Sequence, residues 1–435
     1  MKQHFVIKIS KDYQSRLVGD FPYWRDFILD KSRAVTSFFP EFDQLLAYNL
    51  LSFWVTKEYK SQFMHWNEAE IFSGLDRFYR VIMQQDLLLP DNLLEKIKQL
   101  PHIEDATTIT VVEAEIPRPL VSAQQSYSSV MTEDLIYLKY AKLLTKGSPD
   151  VVVAVLDTGI NLNHRELTGK LVHAADFVNM EGLDTTGFIG DTLDNDDVPE
   201  DEVGHGTHVS GIIAARGINM NEGVAPNCRI MPVRVLATMK DGNRLVGAGI
   251  IDNINTGIKY AVDHGADIIN MSLGIQHEGG GLPHEEVINY ALSKDVTIVA
   301  ASGNDGRPIK YYPGALPGVI AVGAVDQTGS VTSFSSYGAE ITVVAPGADI
   351  YSSFSNNTYA YASGTSQASP FVCGSIALLK SYAKQHGATL TNNMIRYILQ
   401  NSSDKTDREL RTEKAGYGLI NMADAFKLLQ YIIKK

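Results

Sequence analysis

The sequence predicts an α/β protein: a three-layer sandwich around a mostly parallel central sheet, preceded by a smaller α+β domain. Three observations carry this. From Asp150 onward, short apolar β-branched runs alternate with helical patterns, the rhythm of a parallel sheet covered on both faces. The first 118 residues differ in texture, holding all three tryptophans (Trp24, Trp54, Trp66) and many Phe and Tyr. Between the two, Pro117-Arg118-Pro119 to Tyr127 is a Pro/Ser/Gln-rich stretch that reads as a linker. The expected organisation is 1–118 as an N-terminal domain, 119–148 as linker and arm, and 149–435 as the main domain. A chain of 435 residues is long enough for more than one core.

In the N-terminal region, strands are expected over Phe5–Ile9, Arg77–Met83 and Thr107–Val112, and helices over Phe42–Phe63 and Leu93–Leu100. In the main domain, strands are expected over Val151–Leu156, Arg229–Leu236, Asp267–Met271, Thr297–Ala301 and Val319–Val325. Helices are expected over His208–Ala215, Ala248–Asp263, Glu285–Ser293 and Ser366–Lys384, with one more after the turn Gly416–Asn421.

Composition narrows the function classes. Net charge is −12 and no basic block occurs, which disfavours a nucleic-acid binder. No run of 18 apolar residues occurs, so no membrane span is expected. The first residues lack the apolar centre of a secretory leader, so the expected location is the cytoplasm, or export by another route. The two cysteines, Cys228 and Cys373, sit among apolar residues and read as small buried hydrophobes. A monomer is expected.

The chemistry lies in four segments. Gly364-Thr365-Ser366-Gln367-Ala368-Ser369-Pro370 puts a serine at a turn heading an apolar helix. A serine hydroxyl is a poor nucleophile unless a base lies beside it. Val151 to Gly159 is a buried strand delivering Asp157 at its carboxyl end, where open α/β sheets place their sites. Gly204-His205-Gly206-Thr207-His208 puts a histidine between glycines at a helix start. Ala300 to Gly306 follows a strand and offers Asn304, whose amide can donate to an oxyanion. His205 and His208 are not a metal pair, because zinc-protease helices space two histidines at i and i+4 around a Glu.

Asp157, His205, Asn304 and Ser366, in this order and with these neighbours, resemble the subtilisin-like serine proteases (subtilases) over residues 120–425. The resemblance implies a subtilisin-like catalytic domain. Ser366 is then nucleophile, His205 general base, Asp157 its orienting acid and Asn304 an oxyanion donor, with His208 a packing histidine. It further implies that Gly247-Ala248-Gly249 and Ser272-Leu273-Gly274 sandwich an extended peptide or protein substrate. Asp305 falls near the rim of the primary specificity pocket, where it would favour a basic side chain, and Tyr311 or Tyr312 narrows the floor. Gln367 replaces the methionine common after the serine, which should reduce oxidative inactivation.

The N-terminal region resembles a subtilase propeptide, an intramolecular partner that restrains the site, with self-processing expected between Glu113 and Tyr127. The acidic loop Asp191–Glu202 suits calcium, with Asp194, Asp196 and Asp197 as candidate ligands. The family's tightest calcium loop looks altered at Gly217–Glu222 and is not carried over. Two other readings compete: a catalytically idle subtilase fold used for binding or signalling, and a serine esterase or acyltransferase.

Overall fold

The apolar runs from Val151 onward form one sheet. In the computed structural model its strand order is Ile341–Pro346, Ile320–Val325, Thr297–Ala301, Ile268–Met271, Val152–Asp157, Arg229–Arg234 and Ala175–Asp176. Every pairing in it is parallel. Residues 3–17, 19–109, 111–113, 119–120, 129–181, 183–192, 198–242, 244–277, 282–405 and 409–434 are described.

The strands Ile268–Met271, Thr297–Ala301, Ile320–Val325 and Ile341–Pro346 are buried at every residue. That is why they read as continuous apolar runs rather than alternating ones. Each fully buried Val, Ile or Leu contributes about 1.5–3 kcal/mol. The helices His205–Ala214 and Thr365–Gln385 are buried over almost their whole length. An apolar surface all round suits helices that run through a core rather than across its surface.

The chain divides into two compact units. One comprises Met1–Val111 with Asn179–Thr186 and Ile250–Asp252. The other comprises Val112–Val178, Gly187–Gly249 and Asn253–Lys435. The first holds an antiparallel sheet in the order Phe53–Lys57, Phe78–Met83, His4–Ile9, Ile103–Thr108. Phe5, Ile7, Phe42, Leu46, Val55, Val81 and Ile97 form the centre of its core.

Two expectations are corrected. The helix expected over Phe42–Phe63 ends at Tyr48, and Phe53–Lys57 is a strand. Leu50 adopts a positive φ of 56°, which breaks the helix. The aromatic and β-branched run Phe53-Trp54-Val55-Thr56 then pairs with Phe78–Met83. The helix expected from Ala248 begins at Ile251, because Arg244–Ile250 pairs with Ala237–Asp241 as a hairpin. The strand Ile341–Pro346 and the helix Asn392–Ser402 were not expected.

Candidate active site

Three adjacent strands of the parallel sheet, Val152–Asp157, Ile268–Met271 and Thr297–Ala301, point the same way. Asp157, Ser272 and Asn304 therefore lie together at the carboxyl ends of these strands, the position at which open parallel sheets carry their sites. The start of the helix Thr365–Gln385 meets them there: Ser366 and Asn304 line one small cavity with Leu273, Gly274, Ala301, Gly303, Tyr311 and Thr365.

His205 Nδ1 lies 2.6 Å from Asp157 Oδ1, and both side chains are buried. A carboxylate can only accept, so the proton sits on Nδ1 and Nε2 carries a lone pair. Asp157 Oδ1 also accepts from the Thr158 N–H at 2.7 Å. The glycine after the histidine is what permits this approach. A Cβ on Gly206 would lie 2.0 Å from the Gly159 carbonyl oxygen and 3.1 Å from Asp157 Cβ.

Ser366 is the second residue of its helix. Its N–H is among the first-turn amides that have no acceptor within the helix. Pro370, four residues on, has no N–H to give the Ser366 carbonyl. Ser272 Oγ donates to that carbonyl instead, at 2.8 Å, while Ser366 Oγ donates to the Ser272 carbonyl at 3.1 Å. Ser272 Oγ in turn accepts from Asn270 Nδ2, and Asn270 Oδ1 accepts from Ser369 Oγ and Cys373 Sγ. The serine hydroxyl thus rests on Ser272, and His205 Nε2 has no hydrogen-bond partner among the described residues.

The amide of Asn304 is fixed by Thr365, whose N–H and hydroxyl both donate to Asn304 Oδ1, at 2.8 and 3.0 Å. A backbone N–H can only donate, so the oxygen must face Thr365 and Nδ2 is left as the donor. In the sequence, Thr365 carries no signal of this role beyond a hydroxyl one residue before the serine.

Asp201 is the larger omission. Counted among the acidic loop, it is buried under five donors. Oδ1 accepts from Thr158 Oγ1 (2.8 Å), Val203 N (3.1 Å) and Gly204 N (2.7 Å). Oδ2 accepts from Thr207 N (2.8 Å) and Thr207 Oγ1 (2.7 Å). It joins the strand end at Asp157 to the helix start at His205. Burial pushes its carboxyl above the usual range, and the Thr207 and Gly204 bonds pull the other way. His208 Nε2 donates to the carbonyls of Ile350 and Ala360, both at 3.1 Å. Burial lowers its pKa to about 4, keeping it neutral and structural. Gln367 is fully buried with neither amide atom hydrogen-bonded among the described residues.

Gly247 and Ala248 lie in the strand Arg244–Ile250, opposite Thr238 and Ala237, and Gly249 follows them. Ser272, Leu273 and Gly274 continue from Met271 toward Ile275, which bridges Tyr312. The Asp305 carboxylate accepts from the Tyr311 hydroxyl at 2.5 Å.

The candidate calcium ligands Asp194, Asp196 and Asp197 lie outside the described residues. The neighbouring Glu202 accepts from Thr238 Oγ1. No cluster of three His, Cys, Asp or Glu suited to a metal occurs among the described residues. At the altered loop, Glu166 accepts from the N–H groups of Gly217, Ile218 and Asn219 and from the Tyr359 hydroxyl. Donors converging on that carboxylate leave no place for a cation, so this site does not fit one. Cys228 and Cys373 are free and buried.

The subtilase family profile, peptidase S8, matches residues 148–418. The chain is 42% identical over 291 residues to the thermophilic serine proteinase of Bacillus sp. (strain AK1), covering 66% of this chain and 65% of that relative. It is 37% identical over 281 residues to thermitase of Thermoactinomyces vulgaris, covering 64% of this chain and 88% of thermitase. Among solved structures, the prenylagaramide maturation protease PagA superposes with a TM-score of 0.54 at 30% identity, over 67% of this chain and 98% of its own. With the parallel sheet and the buried Asp157–His205 pair at the carboxyl ends of its strands, these matches establish that the chain belongs to the subtilase family of serine proteases.

Proposed function

We propose that the chain is an endopeptidase in which Ser366, His205 and Asp157 cleave peptide bonds through an acyl-enzyme. The observation that carries this is the 2.6 Å bond from His205 Nδ1 to Asp157, which leaves a basic Nε2. Rotation about the Ser366 Cα–Cβ bond exchanges the Ser272 carbonyl for that imidazole. The hydroxyl attacks the peptide carbonyl as Nε2 takes its proton. Asn304 Nδ2 and the Ser366 N–H hold the oxyanion. The C–N bond then breaks as the imidazolium protonates the leaving amine, and water hydrolyses the ester by the reverse proton path.

The substrate lies extended between Gly247–Gly249 and Ser272–Gly274, as a peptide added to a strand edge. The N-terminal segment restrains the site by taking that edge first. Support comes from the sheet order, in which Val111–Glu113 neighbours Arg244–Ile250. Calcium enters this reading only through Asp194, Asp196 and Asp197, and melting curves with calcium and with chelator test it. Absence of a shift removes calcium from the account.

Intact-mass measurement and casein digestion, each beside Ser366→Ala, test the whole. The wild type is expected to digest casein and to be cut between Glu113 and Tyr127, and the variant to do neither. Equal full-length masses rule out self-cleavage. Ester hydrolysis without digestion of casein or peptides favours the esterase reading.

A further inference from the structure

The cavity beside Ser366 and Asn304 is about 10 Å³, room for one water molecule or a methyl group. The Tyr311 ring is part of its lining. A Cβ on Gly303 would lie 2.3 Å from Tyr311 Cδ2 and Cε2, and one on Gly274 would lie 3.1 Å from Tyr311 Cβ. The ring therefore lies against the backbone of both glycines, one from each wall of the cavity. Gly303 also has φ +100°, so a side chain there is disfavoured twice over.

The ring is held at its far end too. Its hydroxyl donates to Asp305 Oδ2 at 2.5 Å and accepts from Gln276 Nε2 at 2.8 Å. Its root is fixed by the paired backbone bonds between Ile275 and Tyr312, at 3.0 and 2.9 Å. Tyr311 is 7% exposed. A substrate side chain larger than a methyl group must displace a packed ring and break both hydroxyl contacts.

We infer that Tyr311 occupies the pocket for the residue before the scissile bond and restricts that residue to Gly or Ala. The inference rests on the endopeptidase reading and names its substrate class: extended peptides with a small residue on the acyl side. Asp305 then acts on selectivity by latching Tyr311 rather than by pairing with a basic side chain. One methylene too many or too few in an apolar pocket is worth roughly 10–200-fold, and displacing a latched ring places the expected discrimination at tenfold or more.

The test is kcat/KM for peptides differing only in the residue before the scissile bond, Gly, Ala, Leu, Phe or Arg. It is run on the wild type, Tyr311→Phe and Tyr311→Ala. The wild type is expected to favour Ala over Leu, Phe and Arg by at least about tenfold. Tyr311→Phe keeps the ring between the glycines but loses both hydroxyl contacts, so the preference for Ala over Phe and Leu is kept but reduced. Tyr311→Ala raises Leu and Phe by at least about tenfold with the Ala peptide little changed. Leu, Phe or Arg peptides cleaved by the wild type as fast as Ala overturn the inference, as does an unchanged profile in folded Tyr311→Ala. The wild-type profile decides even if Tyr311→Ala does not fold. Cleavage of no peptide overturns the endopeptidase reading itself, a failure distinct from cleavage without selectivity.

Discussion

Replacing Asp201 by Asn changes one atom at the joint between the strand end at Asp157 and the helix start at His205. The aspartate accepts five hydrogen bonds, three on Oδ1 and two on Oδ2. An asparagine with its oxygen toward Thr158, Val203 and Gly204 keeps the first three but turns Nδ2 at Thr207. The Thr207 hydroxyl can reorient to accept from it, whereas the Thr207 N–H is left facing another N–H. One orphaned buried donor costs about 1–3 kcal/mol, and three bonds that lose charge assistance lose about 1 kcal/mol each. Relief from burying a charge offsets part of this, the same burial that raises the Asp201 pKa. The net expectation is a loss of about 2–4 kcal/mol. Denaturant unfolding in the Ser366→Ala background, where autolysis cannot interfere, reads that loss directly. In otherwise wild-type protein, movement of His205 should lower kcat about 10²-fold, with KM changed much less. Unchanged kcat and an unchanged unfolding midpoint would refute the positioning role.

Glu166→Gln leaves at least one of the Gly217, Ile218 and Asn219 N–H groups facing an amide NH₂, at about 2–4 kcal/mol. The melting midpoint is expected to fall by roughly 4–16 °C, and added calcium should not restore it; full rescue by calcium would contradict the reading of this loop. His208, whose pKa falls from 6.5 to about 4 on burial, must be neutral in the folded protein. Its contribution is intact above pH 6.5 and is lost as pH falls toward 4, about 3 kcal/mol in all. The acid limb of a stability–pH curve should flatten in His208→Gln; superimposable slopes would count against it.

The parallel sheet was legible because burial on both faces writes strands as unbroken apolar runs. Val152–Asp157, Arg229–Arg234 and Thr297–Ala301 appear within two residues of where their composition put them. Asp157, His205, Asn304 and Ser366 stood out as candidates because each sits in a short motif with glycine or a small residue beside it, and the structure pairs Asp157 with His205 and sets Asn304 and Ser366 on one cavity.

What was not legible depends on direction, which a one-dimensional pattern does not carry. Asp201 is one of many acids in its loop, and only the fold turns its carboxylate inward onto Thr158 and Thr207. Tyr311 and Tyr312 are adjacent, so their side chains diverge, and the bridge from Tyr312 to Ile275 decides which ring enters the cavity. The Phe42–Phe63 stretch is apolar enough for helix or strand, and pairing with Phe78–Met83 settles its second half. The helix Asn392–Ser402 did carry a signal: a Thr391 cap, whose side chain accepts from Met394 N, followed by buried Ile395, Ile398 and Leu399.

The central claim is that Ser366, activated by His205, is the acylated nucleophile. A serine-reactive fluorophosphonate followed by peptide mapping, run beside peptide hydrolysis in wild type, His205→Ala and Ser366→Ala, tests it most directly. The account predicts a single adduct on Ser366, much slower labelling in His205→Ala, and neither label nor hydrolysis in Ser366→Ala. An adduct on another residue, or hydrolysis that survives Ser366→Ala, would contradict it.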